Sequence, residues 1–537
     1  MSINAKTIAG PGLQSMTWAY SYFSNPQSLW GVHTEPAVYP CTTCTSQQTV
    51  TLTNPDGTKA RYTFGMRYFD NDGRQLKVEI MKADNSIVRT ETSTYLTEAQ
   101  AATQPFHGDY GSNLGGIADP ASTRIRPVTN RTINQDGVNF TWQVAASCSG
   151  ILCFDTLARP TRVTKSSTVT GSPTRTELIV RHDNLAKWVL GQVSSITCAA
   201  PTSALPAGCG TAGVVMFERT YDSTHALPLV TRRFGRIEQT LTWDTTSTLL
   251  SGQRGTVKTV ADGKGSVTTL SNWKRGTPQS IKYPGTPEVP AGALHTAQVH
   301  DSGWLNWVDD ENGFRTSYTH DAMGRLSGIT YPTGDSTAWN ATTQVFEQIA
   351  AVEYGIPAGH WRQTVSTGNA RKIVYFDALW RPLVVREYDN ANLAGTQRFQ
   401  RFIWDHNGQV TFASYPATVH NPLTGTWTEY DALGRTTSVA QDSELSPGVQ
   451  VTLTAYLSGF QTRVTNPRGH QTTTRFWAWD EPTYDHPVFV AHPQSAWTHI
   501  TRDVFGKPTV LRRSNSSSPT GGTVALNRTY TYNAFQQ

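Results

Sequence analysis

The segment Tyr318-Thr-His-Asp321-Ala-Met-Gly324-Arg325-Leu326 decides the fold, because its core is written again at Tyr430-Asp431-Ala-Leu-Gly434-Arg435. An Asp followed three residues later by Gly suits a type I turn. The carboxylate accepts a backbone N–H, and the Gly takes the left-handed conformation that returns the chain as a bulged hairpin. The aromatic ahead of the Asp ends the incoming strand. After the Arg come β-rich segments with partly alternating apolar positions: Arg325-Leu-Ser-Gly-Ile-Thr-Tyr-Pro, Arg381-Pro-Leu-Val-Val-Arg-Glu-Tyr and Arg435-Thr-Thr-Ser-Val-Ala.

Working outward, weaker copies keep the same frame: Phe69-Asp70 with Gly73-Arg74, Phe154-Asp155 with Ala158-Arg159, Phe376-Asp377 with Trp380-Arg381, Trp404-Asp405 with Gly408-Gln409, and Arg502-Asp503 with Gly506-Lys507. More degenerate copies are read at His182-Asp183, Tyr221-Asp222 and Tyr530-Thr-Tyr532-Asn533. A second punctuation, in Val308-Asp-Asp-Glu-Asn-Gly313 and Val464-Thr-Asn-Pro-Arg-Gly469, marks the opposite hairpin ends. Turns at both ends predict an all-β, antiparallel meander that adds strands in one direction. Its inherent twist makes it curl, into part or all of a hollow shell. Asp-to-Asp steps of 28, 26 and 28 residues stand beside much longer gaps, and Ala158 and Trp380 replace the turn Gly, so insertions or decayed repeats are expected.

The register divides the chain into a strand-rich lead-in over 1–59 and a repeat sheet over 60–537 that stops within a repeat. Loop insertions are expected near 195–213 and 514–522, where Ala, Pro, Gly, Ser and Thr cluster. Residues 97–103 read as a capped helical turn. An edge exposed where the repeat stops would pair with another chain or aggregate, so this polypeptide alone is expected either to associate or to need its missing continuation.

The recurring unit resembles the YD repeats of the Rhs proteins, of the B and C components of insecticidal toxin complexes, and of the teneurins, over most of residues 60 to 537. The resemblance implies a strand spiral closing into a cocoon around a C-terminal toxic domain or, in teneurins, an extracellular adhesion scaffold. It thus implies a structural casing segment of a polymorphic toxin whose cargo is absent from this chain. No residue matches the family's self-cleaving closure segment. The implied partners are a missing C-terminal continuation or complementary shell chain, and a secretion apparatus. The implied location is secreted or cell-surface, by bacterial export. A rival reading is a surface-exposed module that binds glycans or cell-surface partners through its 16 Trp and 20 Tyr.

Composition narrows the rest. Charged residues are 16% of the 537, against about 25% in an ordinary domain. The net charge of +5 comes from scattered Lys and Arg, so no nucleic-acid partner is expected. Without an apolar run of about eighteen residues no membrane-spanning helix is expected, and Met1-Ser-Ile-Asn-Ala-Lys leads into no signal-peptide core. Six cysteines form local couples: Cys41 with Cys44, Cys148 with Cys153, Cys198 with Cys209. Disulfide staples, buried thiols and a metal site are the readings open to them, the metal being the weakest for want of a second ligand pair.

No catalytic constellation stands out. A nucleophile elbow is missing, Gly263-Lys264-Gly265-Ser266 lacks phosphate-loop spacing, and the nearest histidines, His295 and His300, fit no zinc motif. Turns account for most Asp residues, leaving carboxylates such as Glu311, Glu347, Glu353 and Glu429. The chain is expected to be no enzyme and to hold no cofactor.

Overall fold

The structure is a computed structural model that describes residues 3–22, 46–66, 71, 73–106, 125–146, 148–199, 209, 213–246, 253–334 and 336–533. The Cys41–Cys44 couple and Asp70 lie outside the described residues.

The protein is all-β. Thirty-six strands occur among the described residues, from Ala5–Gly10 to Val524–Thr529, with two short helices, Glu98–Ala102 and Leu393–Thr396. Every strand pairs antiparallel with the next one in sequence, from the opening hairpin (Ile8 opposite Met16) to the last pair (Leu511 opposite Arg528). The meander therefore has no crossover. It runs through the expected boundary at 59/60 without a break: Lys59 opens a strand paired with Gln47–Thr53. The first helix is the capped turn expected at 97–103, with Thr97 Oγ1 accepting from Gln100 N at 3.2 Å. Of the loop expected over 195–213, the first residues are strand instead. Ser195 to Cys198 remain in strand Val189–Ala199, paired on both sides, because Ser, Thr and Cys suit a pleated, half-wet surface as well as a loop.

The burial pattern gives the architecture. A strand with one face packed on a second layer alternates buried and exposed side chains, and one between two layers is buried throughout, yet Trp361–Thr367 and Thr436–Asp442 are half-buried along nearly their whole length. The sheet is a single layer with water reaching both faces.

The core lies mainly at the hairpin ends, where distant parts of the sheet meet. The turn between the first and second strands touches the turn between the twenty-fourth and twenty-fifth: Ala378 N donates to Pro11 O at 3.1 Å. The turn between the seventh and eighth meets the one between the thirtieth and thirty-first, with Gly459 N donating to Asp136 O at 2.9 Å. The turn between the ninth and tenth reaches the connection between the thirty-second and thirty-third, where the hydroxyls of Ser167 and Ser172 donate to Ala478 O at 2.6 and 3.1 Å. Phe234, between the thirteenth and fourteenth, packs edge-on against Phe505, between the thirty-fourth and thirty-fifth, at 5.1 Å. Each contact joins one edge of the sheet to its other edge, 21 to 23 strands on. The sheet is thus an open spiral whose successive coils stack edge on edge; the first and last described strands do not pair.

Candidate functional site: the turn edge and the seam

The repeat turns share one geometry. Asp321 Oδ1 accepts from Met323 N at 2.9 Å and from Arg325 N at 3.0 Å, while Oδ2 accepts from Arg325 Nε at 2.7 Å. Gly324 N closes the turn onto Asp321 O at 3.0 Å, and the glycine sits at φ +80°. Asp155, Asp377 and Asp431 repeat this set with Arg159, Arg381 and Arg435. Asp405 and Asp503 keep the two backbone bonds, to Asn407 and Gln409 and to Phe505 and Lys507, without an Arg at the fifth position. The aromatic serves the previous hairpin: the Tyr430 hydroxyl donates to Val410 O at 2.9 Å. Tyr318 stands opposite Ile329 across its hairpin, and Gly73 is left-handed at φ +71°.

All six of these Asp turns lie at one edge of the sheet, each following an even-numbered strand. The opposite edge uses the same device at Asp262, Asp310 and Asn466. Sequence reading marked the ends at Gly313 and Gly469 but missed that one chemistry builds both edges. Ala158 and Trp380 hold the left-handed position without being glycine, at φ +61° and +65°. An L-residue there costs about 1–2 kcal/mol. Ala158→Gly is expected to raise stability by about 0.5–1 kcal/mol, read as a higher urea midpoint at unchanged slope.

Asp183 corrects the sequence reading. It anchors no turn: the turn starts one residue later, where Asn184 Oδ1 accepts from Lys187 N at 3.0 Å. Asp183 instead receives both Arg159 terminal nitrogens, at 2.8 and 2.6 Å, and Gly191 N at 2.7 Å. The Arg159 hydrogen bonds, more than the Gly191 amide, hold its carboxyl down at about 2. A carboxyl depressed in the folded state stabilises the fold above its unfolded value near 3.9, and that contribution is lost as pH falls towards 2. Acid unfolding of Asp183→Asn is therefore expected to be shallower between about pH 4 and 2 than that of the parent protein.

The seam between coils carries the other concentration of polar contacts. Asp136 Oδ2 accepts from Arg435 Nη1 and from the Tyr484 hydroxyl, each at 2.7 Å, and Arg435 still holds Asp431 through Nε. Burial first, and the Asp136 carboxylate second, push the Tyr484 hydroxyl above the ordinary tyrosine value. Beneath lies an apolar cluster of Ile133, Val138, Phe140, Val169, Phe460, Phe476 and Ala478. Arg131 pairs with Glu481 at its rim. Two cysteine couples are disulfides, Cys148–Cys153 and Cys198–Cys209, and Cys198 and Cys209 pack on Val504 at the seam. Of the carboxylates left over from the turns, Glu347 and Glu353 both pair with Arg362, and Glu311 contacts His295 at 2.5 Å.

A single-layer antiparallel sheet edged by Asp-anchored bulged turns is a β-repeat wall. The RHS Repeat family matches residues 301–336, the stretch that holds the Asp310 and Asp321 turns, so this part of the chain carries an RHS repeat. No curated protein matches it in sequence. Among solved structures it is similar to a chain of the Photorhabdus luminescens Tc holotoxin pore, at 12% identity and a TM-score of 0.39, covering 97% of this chain and 30% of that one. It is also similar to the TcdB2-TccC3-TEV crystal structure, at 11% identity and a TM-score of 0.28, covering 96% and 27%. The chain thus spans about 30% of the length of the first.

Proposed function

We propose that the chain is a casing segment, a wall that encloses or scaffolds a toxic cargo carried on a continuation or a partner chain, and that it works by geometry and not by catalysis. The observation that carries this reading is the constant step of 21 to 23 strands between stacked edges. Strands lie about 4.8 Å apart, so one coil is about 100 Å around and about 30 Å across. Side chains reach only about 5 Å from a sheet's mid-plane, half the spacing of packed sheets, which leaves a lumen of about 20 Å. Such a wall keeps a cargo away from the cytosol of the producing cell, and release requires a coil or its mouth to open. A wall of this kind acts outside the producer, after export; no helix among the described residues is long and apolar enough to cross a membrane.

Electron micrographs of the purified chain test the reading. Class averages with a central void about 20 Å wide support it. Averages of a solid body without a void overturn it.

A further inference from the structure

The turn at Trp380 departs from its siblings. Gly324, Gly408, Gly434 and Gly506 fill the equivalent position elsewhere, yet here an indole occupies the left-handed backbone and stands 54% exposed. The indole is thus presented to solvent from a backbone that glycine would hold at lower cost. Trp380 is also not alone. Its ring lies parallel to Phe346, with centroids 4.8 Å apart and planes 9° apart, and close to Trp361 at 5.5 Å and 20°. Phe346 in turn stacks on Trp361 at 5.0 Å and 12°. Three near-parallel rings from two neighbouring strands and a turn stack on one another, and the exposed indole of Trp380 is the aromatic platform that the stack presents.

Strand register puts amides beside it. Gln363 is the cross-strand partner of Phe346 and Gln348 that of Trp361, so both amides share the platform's face, as does Gln344 two residues before Phe346. Gln363 Nε2 donates to Gln344 Oε1 at 3.2 Å, a bond that engages neither the Gln363 carbonyl nor the Gln344 amino group. The nearby cations are neutralised. Arg325, whose guanidinium lies 4.7 Å from the Phe346 ring centre, is paired with Asp321, and Lys372 is paired with Glu387. An exposed indole backed by stacked rings, with neutral donors and acceptors nearby, suits a ligand that has an apolar C–H face and a rim of hydroxyls.

We infer that Trp380, Trp361 and Phe346, with Gln344 and Gln363, form a carbohydrate-binding platform for neutral pyranosides on the wall. The casing role neither requires it nor depends on it. Trp380 covers the sugar's C–H face, and the amides bond its hydroxyls.

The test uses the full chain and three soluble probes, chitotetraose, cellotetraose and maltotetraose, by ligand-observed saturation-transfer NMR and titration calorimetry. At least one probe is expected to bind saturably. Trp380→Gly suits the left-handed backbone and removes the indole, and is expected to weaken binding about tenfold or more. Trp188→Gly is the matched control: Trp188 is 74% exposed at φ +54°, with no ring stacked on it among the described residues, and its replacement is expected to leave binding unchanged. Absence of binding by all three probes overturns the inference. So does retained affinity in Trp380→Gly, or an equal loss in Trp188→Gly. Micrographs of a hollow wall stand whatever the sugars do, so the two readings fail separately.

Discussion

Asp136→Asn unlocks the seam between coils, with an expected loss of about 2–3 kcal/mol, and Asp136→Ala costs about 1 kcal/mol more. The carboxylate is 8% exposed and faces Arg435 at 16%, so the pair is largely removed from water. Breaking such a pair by removing one partner leaves a charge poorly compensated, which is why the cost exceeds that of a surface ion pair. Arg435 keeps Asp431, and this places the effect below the upper end of the range for fully orphaned charges. The two substitutions separate charge from backbone. Asp136 and Gly137 both have positive φ, +50° and +73°, the type I′ pattern, which Asn accepts readily and Ala does not. The clearest readout is local: Gly459 donates its N–H across the seam to Asp136 O, so its amide is expected to exchange faster in both variants. An unchanged Gly459 exchange rate with an unchanged unfolding midpoint would show that the coils are held elsewhere.

The difference between these residues and the turn Asp residues explains what the sequence made legible. A turn is set by five consecutive residues, so Asp321 to Arg325 announces its conformation wherever it recurs, and the antiparallel meander follows from turns at both ends. Curling follows from twist, as a tendency without a size. The step of 21 to 23 strands, which sets the diameter, comes from edge contacts between residues about 300 apart, and these carry no repeated signature. Asp136-Gly137 reads as one more hairpin tip; Phe460 and Tyr484 read as ordinary strand-end aromatics. Nothing local marks them as the buried partners of Arg435 and Phe140. Asp183 was misplaced for the opposite reason: it has the aromatic-like neighbour and the 28-residue spacing of a turn Asp, but Asn184 beside it makes the turn. The aromatic platform was half visible. Trp380 stood out as a replaced glycine, while the ring that stacks most closely on it, Phe346, lies in a strand outside the motif.

Seven copies of one motif look interchangeable in sequence, and the structure says that they are not. Asp377→Ala is expected to cost about 3–5 kcal/mol, whereas Asp321→Ala costs about 1–2 kcal/mol, although each removes the same three hydrogen bonds. The Asp321 side chain is 30% exposed, so water can replace what the substitution takes away. The Asp377 side chain is fully buried, and its Arg381 partner is only 14% exposed. Removing that carboxylate leaves two backbone N–H groups and a guanidinium without it in a place water does not reach freely. The damage also spreads in two directions. Arg381 Nη1 donates to Asp405 O at 2.8 Å, tying this turn to the next one along the edge. Ala378 carries the contact to Pro11, where Gly10 packs so closely that an added Cβ would sit 2.4 Å from the Ala378 methyl group. Asp377→Asn should fall between wild type and Ala. Asn466 shows that an amide oxygen can accept both backbone N–H groups, at 3.0 Å each, so only the bond to Arg381 is lost. Urea unfolding of the three variants decides the matter. The order Asp321→Ala, Asp377→Asn, Asp377→Ala, from least to most destabilised, is expected; equal losses for the two alanine variants would mean that each turn acts alone and that the edge contact between coils adds nothing.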